Sequence, residues 1–289
     1  MWKVKEGKQI ISYIGGKSRI GKWIREYIPT DIKTYVEPFG GMFWVYFNMN
    51  LGKYPLLKNV VYNDFNILNA NLFSCVREYD KLWNLLSKEP CQQRNIVNTP
   101  PEFRQKFNIF QREIFSPDLV ITEENKFDIA VKYLYVLTQI FSGSKPESAN
   151  FMDYKGKYKC KLLTFMDKLK KPAYRLHFDR INIVENMDFE NLIKKYDSKD
   201  TYFYLDPPYW KTEKYYSKHD FNKDSHERLA SVLRGINGRF GLSYYDFDLL
   251  NEWFPKDKYK WATKEFAKAA AAKKGVKQNK SEELLIMNY

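Results

Sequence analysis

Apolar positions along this 289-residue chain follow two different periods, and the change between them divides it. Ile20, Trp23, Ile24, Tyr27 and Ile28 recur at helical spacing behind Ser18, a residue able to cap the helix, and Pro29 ends it. β-Branched and aromatic runs then predict strands near 34–37 and 59–63, with an apolar stretch from Met42 to Phe47 between them that reads as helical. Beyond residue 66 the period lengthens. Leu68, Leu72, Val76, Tyr79, Trp83 and Leu86 repeat every three to four positions, as do Phe103, Phe107, Phe110 and Ile114, and a third apolar helix covers about Phe127 to Phe141. Such stripes read as core. Strand texture returns at Ile181 to Val184 and at Tyr202 to Leu205. A helix follows, with Leu229, Val232, Leu233 and Ile236 on its apolar face and Asp224 and Glu227 in a capping-box-like spacing. Arg239 to Tyr245 predicts another strand, and Tyr259 to Ala262 with Leu284 to Tyr289 a closing hairpin. The pattern predicts a discontinuous α/β domain, residues 1–66 and 181–289, with a central mixed sheet and a mostly helical insertion over residues 67–180.

One strand carries candidate chemistry. Thr201-Tyr202-Phe203-Tyr204-Leu205 stops at Asp206-Pro207-Pro208-Tyr209. Neither proline has an N–H to donate, so the sheet cannot continue, and the strand must open into a stiff polar loop at its carboxyl end. That is where open α/β sheets hold their ligands. The loop offers one carboxylate, backbone carbonyls and an aromatic ring, a set suited to gripping a planar base by its exocyclic amine. An adenine N6 amine is a poor nucleophile because its lone pair is delocalised into the ring. Asp206 and the Pro207 carbonyl can each accept one N–H bond, draw the nitrogen toward tetrahedral geometry and stabilise the emerging cation. Tyr209 can stack on the base. A base in a duplex must first leave the stack to reach such a pocket. The bland reading is a strand-to-turn junction with a solvated acid.

Two further pieces precede it. Tyr13-Ile14-Gly15-Gly16-Lys17 stands near the N-terminus, and Glu37-Pro38-Phe39-Gly40-Gly41 follows the first strand, where glycine lets backbone approach a ligand. There is no G-x-G-x-x-G, so this is not the dinucleotide fingerprint. The second strand ends at Asn63-Asp64, and an acid there suits ribose hydroxyls or a plain strand cap.

In this order the pieces resemble the Dam-like DNA adenine-N6 methyltransferases (D12 class, alpha group), over nearly the whole chain from Tyr13 to Tyr289. The likeness is specific at Asp-Pro-Pro-Tyr, Gly-Gly-Lys and Glu-Pro-Phe and diffuse between about residues 70 and 175. It implies a Rossmann-like S-adenosylmethionine-dependent fold and transfer of a methyl group from that cofactor to adenine N6 in DNA. Tyr13 and Lys17 match the motif against the methionine end of the cofactor, with Lys17 at its carboxylate. Glu37, Pro38, Phe39, Gly40 and Gly41 match the cofactor turn, with Phe39 near the sulfonium, a cation beside an aromatic face. Asp64 matches the ribose acid, and Asp188 an acid near the cofactor's adenine amine. Asp206, Pro207, Pro208 and Tyr209 match the catalytic tetrapeptide, with Asp206 also at the edge of the cofactor site. One departure is that Gly40-Gly41 runs straight into Met42-Phe43-Trp44, where the family commonly continues with small residues. The alternatives are cytosine N4 or RNA adenine as the target, or a catalytically silent DNA-binding protein; Asp rather than Ser before Pro-Pro-Tyr resembles the adenine enzymes.

Charge points to the same partner. The formal net charge is +13, and the segment from Lys155 to Arg180 holds nine Lys/Arg against two acids, a local excess of +7. A basic chain of this kind suits a polyanion, here double-stranded DNA. Lys155, Lys157, Lys159 and Lys161 are the expected contacts in and beside Asn150-Phe151-Met152-Asp153-Tyr154-Lys155-Gly156-Lys157-Tyr158, read as a hairpin or loop that enters a groove, or as an exposed basic hairpin. Lys273 and Lys274 lie in a lysine-rich stretch that reads either as an arm clamping DNA or as a solvated loop. Cys75, Cys91 and Cys160 have no Cys-x-x-Cys spacing, and the three histidines no metal spacing, so neither disulfides nor a metal is expected. Without an apolar run of membrane length or a signal-peptide core, the expected setting is the cytoplasm of a bacterium or phage-infected host, as a monomer or weak dimer.

Overall fold

The structure is a computed structural model that describes residues 10–11, 17, 20–93, 98–141, 144–157, 160–210, 221–267 and 280–289. Of the expected site residues, Tyr13, Lys159, Lys273 and Lys274 lie outside these, as do Gly15, Gly16 and Ser18.

The chain divides into two compact units, a sheet unit of residues 17–40, 49–65 and 185–289 and a helical unit of residues 1–16, 41–48 and 66–184. The strands are β1 (Thr34–Glu37), β2 (Asn59–Asn63), β3 (Ile183–Glu185), β4 (Thr201–Leu205), β5 (Arg239–Tyr244), β6 (Lys260–Ala267) and β7 (Lys280–Met287). They form one sheet in the order β3-β2-β1-β4-β5-β7-β6. β1 pairs in parallel with β2 and β4, and β4 with β5; β7 runs antiparallel to both β5 and β6. The mixed sheet predicted from the strand runs is therefore present. β4 lies between two parallel neighbours and all five of its residues are buried, which is why it reads as an unbroken aromatic and apolar run. The order of strands reverses between β1 and β4, the position at whose carboxyl edge sheets of this kind hold ligands.

The sheet unit also contains a short N-terminal helix, α1 (Gly21–Ile24), which continues as a 3-10 turn over Arg25–Tyr27. α9 (Phe189–Tyr196), which the apolar periodicity did not predict, starts on Asp188. α10 (Lys223–Arg234) is capped by Asn222, whose side chain accepts from the Ser225 N–H at 3.1 Å. Asp224 therefore sits inside the first turn, past the true cap, and does not head a capping box. α11 (Leu250–Trp253) precedes the final hairpin.

The helical unit holds α2 (Trp44–Asn48), α3 (Ile67–Cys75), α4 (Tyr79–Leu86), α5 (Pro101–Ile114), α6 (Lys126–Thr138), α7 (Lys161–Leu169) and α8 (Pro172–Arg180). Sequence order puts residues 41–48 in the catalytic part, but α2 is fully buried and packs with the insertion. Phe47 lies 5.6 Å from Phe178 and 5.5 Å from His177 between ring centroids, and the Tyr46 hydroxyl donates to the His177 carbonyl at 2.8 Å. An aromatic stripe packs where its partners are, whatever its position in the chain.

α7 and α8 change the meaning of the basic segment. Leu162, Phe165, Met166 and Leu169 form a buried stripe that the surrounding lysines obscure in the sequence. Lys161 donates to the Ile140 carbonyl at 2.6 Å and Lys168 to the Ile10 carbonyl at 2.8 Å. Lys170 lies 3.5 Å over the Trp83 ring, and Arg175 pairs with Asp80 while covering the Tyr79 ring at 4.3 Å. Burial lowers the Lys161 amine, and it brings Lys168 down to about 8 with help from Lys171. Several charges of the +7 segment thus hold the helical unit together, and the Lys161 ammonium is already engaged by a backbone carbonyl. Among the described residues no helix is long and apolar enough to cross a membrane.

Candidate active site

Four side chains from distant parts of the sequence meet in the sheet unit. Asp206 and Tyr209 leave the carboxyl end of β4, Lys17 comes from the N-terminal segment, and Glu283 comes from β7. The Lys17 ammonium lies 2.9 Å from Asp206 Oδ1 and 3.0 Å from Glu283 Oε1. It also donates to the Tyr209 hydroxyl, which in turn donates to Glu283 Oε1 at 2.5 Å. An ammonium has three N–H donors, and these three acceptors match them. The resemblance implied Lys17 at the cofactor's carboxylate; in the structure its ammonium lies among Asp206, Tyr209 and Glu283.

Exposure distinguishes the four. Side-chain exposure is 8% for Lys17 and 1% for Glu283 but 21% for Asp206, and Tyr209, like Pro207 and Pro208, is buried. Asp206 is therefore the most exposed of the three charged groups in this cluster. Burial raises its carboxyl; Lys17 opposes that and Glu283 adds to it, and the balance pushes it up to about 6. Burial pulls the Lys17 amine down, but the two carboxylates outweigh it and hold the amine above the usual lysine range. The Tyr209 ring meets Tyr245 edge-on at 4.4 Å and Tyr244 at 5.8 Å, while the Tyr204 hydroxyl below pairs with Ser243 at 2.9 Å.

The expected cofactor residues gather along the same edge. Glu37 is buried at the end of β1 and accepts from the Tyr35 hydroxyl at 2.6 Å. The Gly40 N–H donates to the Asn63 carbonyl at 2.7 Å, and a Cβ on Gly40 would sit 2.5 Å from the Tyr62 ring and 2.8 Å from that carbonyl. Gly40 is needed for the close approach of the chain's own β2. Gly41 has φ +49°, and among the described residues nothing lies within 4 Å of where its Cβ would be. Phe39 packs on Phe189 at 5.4 Å and Phe221 at 5.6 Å. Asp64 follows β2 and is buried. Asp188 caps α9, accepting from the Glu190 N–H at 2.9 Å, and takes the Arg228 guanidinium at 2.6 Å, so its carboxylate already has structural work.

Sequence reasoning missed two residues. Asn63 ties the edge together: its amide donates to the Pro38 carbonyl at 2.8 Å and the Met187 carbonyl at 3.1 Å, and its oxygen accepts from the Met187 N–H at 3.0 Å. Glu283 falls just outside the strand that the apolar run predicts from Leu284. The available signal was an acid heading an otherwise apolar strand. What local pattern could not supply was direction. β7 is antiparallel, so its beginning lies at the edge where the parallel strands end; the Tyr244–Leu284 pair at the end of β5 brings Glu283 level with the Asp206 loop.

In the helical unit, the expected basic loop is an anchored tight turn. Lys155 and Gly156 both have positive φ, +46° and +66°, and the Lys157 N–H closes the turn on the Tyr154 carbonyl at 3.0 Å. Tyr154 is buried, donating from its N–H to Gln92 at 2.8 Å and from its hydroxyl to the Thr138 carbonyl at 2.8 Å. Asp153 accepts from the Lys155 N–H at 2.9 Å and the Thr99 hydroxyl at 2.7 Å. Lys155 and Lys157 are exposed at the tip.

Among the described residues no cluster of three or more His, Cys, Asp or Glu is arranged to hold a metal ion. The chemistry on offer is that of a carboxylate followed by two prolines and held by a buried lysine, beside an edge that carries further acids and aromatic rings.

The comparisons agree with this geometry. The chain is 28% identical to Type II methyltransferase M.MjaIII of Methanocaldococcus jannaschii, over 98% of this chain and 100% of that protein. It is 22% identical to Type II methyltransferase M.CviBI of Paramecium bursaria Chlorella virus NC1A, over 86% of each. It is 24% identical to modification methylase StsI of Streptococcus sanguinis, over 82% of this chain and 35% of that protein. A family model described as D12 class N6 adenine-specific DNA methyltransferase matches residues 13–268. With an Asp-Pro-Pro-Tyr corner at the carboxyl edge of a seven-stranded mixed sheet and a family match spanning most of its length, the chain belongs to the D12 class N6 adenine-specific DNA methyltransferases, enzymes that move a methyl group from a donor to adenine in DNA.

Proposed function

We propose that the protein methylates adenine N6 at a specific site in double-stranded DNA, as the modification partner of a restriction system, with Asp206 as the residue that grips the target amine. The observation that carries the residue assignment is that Asp206 is the part-open member of an otherwise buried cluster at the strand-order reversal. The restriction role rests on the names of the relatives, two of them Type II methyltransferases and one a modification methylase. S-Adenosylmethionine is the donor proposed, supplying a methyl group activated on a cationic sulfur. Asp64 at the end of β2 suits its ribose hydroxyls. Glu37, Pro38, Gly40 and Gly41 form the turn beneath it, and the Phe39 ring offers a face to the positive charge. Asp188 retains acceptor lone pairs beyond its two bonds for the purine amine, and Tyr13 precedes the segment that brings in Lys17.

The target base is extruded from the duplex and received at the Asp206 loop. Asp206 and the Pro207 carbonyl accept its two N–H bonds, Pro208 stiffens the loop, and Tyr209 presents its ring to the base. Asp206 must act as an acceptor, so the carboxylate form is the working form. Methyl transfer is accordingly expected to fall as pH drops through about 6, the value to which burial pushes this carboxyl. Activity is full above that value and lost below it. A profile measured with saturating DNA and donor that stays flat from pH 7 to pH 5 would remove Asp206 from the acceptor role.

Lys155 and Lys157, on their anchored turn, are proposed as phosphate contacts. Replacing both with glutamine is expected to weaken DNA binding several-fold and to lower the salt slope by about 2, one for each phosphate no longer neutralised. A slope equal to the parent's would take the turn out of the interface. The working form is a monomer or weak dimer in the cytoplasm of a bacterium or phage-infected host. The test of the whole reading is incubation with labelled S-adenosylmethionine and unmethylated duplex DNA, followed by nucleoside analysis. Label in N6-methyladenine is the expected product; label in N4-methylcytosine, or none, refutes it.

A further inference from the structure

Glu283 is the one buried acid of the corner that the function above does not use. Its side chain is 1% exposed, and its two oxygens are treated unequally. Oε1 takes both the Lys17 ammonium and the Tyr209 hydroxyl, whereas Oε2 is buried with no hydrogen-bond partner among the described residues. A buried carboxylate left half satisfied is destabilising, and its presence in a native fold calls for an explanation. Lys17 stands almost midway between the two acids, at 2.9 and 3.0 Å, so a single positive charge is divided between two negative ones. With Asp206 alone, the lysine would form a neutral pair and quench the acceptor strength of the carboxylate. With both acids present the cluster keeps one net negative charge, and Asp206 is the member with an opening to the outside.

We propose that Glu283 is a positioning residue for methyl transfer: by sharing Lys17 with Asp206 and holding the Tyr209 hydroxyl, its carboxylate leaves Asp206 a strong acceptor for the amine of the target adenine. This rests on the reading of the Asp206 corner as the base pocket. The groups facing Asp206 are Lys17 from the N-terminal segment, Tyr204 and Tyr209 from β4 and its loop, and Glu283 from β7. Glu283 alone among them both adds negative charge and competes for the lysine, and its charge is among the causes that lift the Asp206 carboxyl.

The test compares Glu283→Gln, Glu283→Met and Glu283→Asp with the parent, using single-turnover methyl transfer with labelled S-adenosylmethionine on unmethylated duplex DNA across pH 5 to 9. Donor and DNA affinities are measured alongside, and thermal melts report folding. The neutral variants are expected to transfer at least tenfold more slowly, with the acid limb of the profile moved to lower pH and both affinities within about twofold of the parent. Methionine removes the orphaned oxygen as well, and serves if a buried amide does not fold. Aspartate keeps the charge and is expected to keep the parental limb. A neutral variant with the parent's rate and limb overturns the proposal, as does an aspartate variant whose limb moves as far as that of a neutral one. Should Asp206→Ala retain full activity, the underlying reading of the corner is what fails; should Asp206→Ala be inactive while Glu283→Gln matches the parent, only the role of Glu283 fails.

Discussion

Replacement of Asp206 by alanine is expected to slow methyl transfer by about a thousandfold, because one preorganised electrostatic contact to the reacting group is worth about 10²–10³ in rate and this one is ionic. DNA affinity is expected to stay within a few-fold of the parent's, since in the proposed role the acid meets the amine and not the phosphates. Rapid-quench single-turnover assays with labelled donor separate the two effects, and a variant that binds DNA normally and still transfers at the parental rate removes Asp206 from the chemistry. Replacing the carboxyl by the amide of asparagine carries a stability signature of the opposite sign. A carboxyl raised from 3.8 to about 6 in the folded state favours folding below its unfolded value and loses that contribution as pH rises through about 6. At pH 8 the ionised group therefore costs about 2–3 kcal/mol, at about 1.4 kcal/mol per unit. Asp206→Asn is accordingly expected to melt no lower than the parent at pH 8 while losing activity, the trade expected where a site is built for work rather than for stability.

Removing Lys17 is expected to produce the other large effect. Lys17→Met leaves Asp206 and Glu283 facing each other across an uncharged side chain, and breaking a buried ion pair from one side costs about 3–5 kcal/mol. A loss of about 3 kcal/mol is expected here, the lower end of that range, because Asp206 is partly open to water. The lysine is held above its usual range, so its contribution is complete throughout the neutral region and fades only as pH rises past the ordinary lysine value. Urea denaturation at pH 7 measures the loss. The acid limb of the activity profile should move upward, since the group that kept Asp206 ionised is gone. A variant as stable as the parent, with its limb in the same place, contradicts the ion-pair cluster as described. Its upward limb is the mirror image of the downward limb expected when Glu283 is neutralised, so the two substitutions together test how one lysine is divided between two acids.

Local pattern carried a good deal of this protein. β1 and β2 begin and end where their β-branched and aromatic runs do, and β4 ends where Asp206-Pro207 denies the sheet its next N–H. The helices α3 to α6 follow the three-to-four spacing of their apolar residues. Each of these depends on interactions among residues close in sequence, which is why they could be read there. The sequence likewise placed Asp206 and Asp64 at the carboxyl ends of strands, because the strand runs stop directly before them.

Folding in three dimensions decided the rest. Charge counted along a segment does not say which lysines reach solvent: Lys161 and Lys168 end on backbone carbonyls inside the helical unit, while Lys155 and Lys157 stand exposed on a turn held by buried Tyr154. A glycine pair does not say what holds each glycine: Gly40 clears Tyr62, whereas Gly41 takes a left-handed backbone, φ +49°. Above all, no spacing rule joins Lys17 to Asp206 and to Glu283. Those contacts exist because an antiparallel last strand returns its first residues to the edge where the parallel strands finish, and long-range pairing of that kind is a property of the assembled sheet rather than of any stretch of chain.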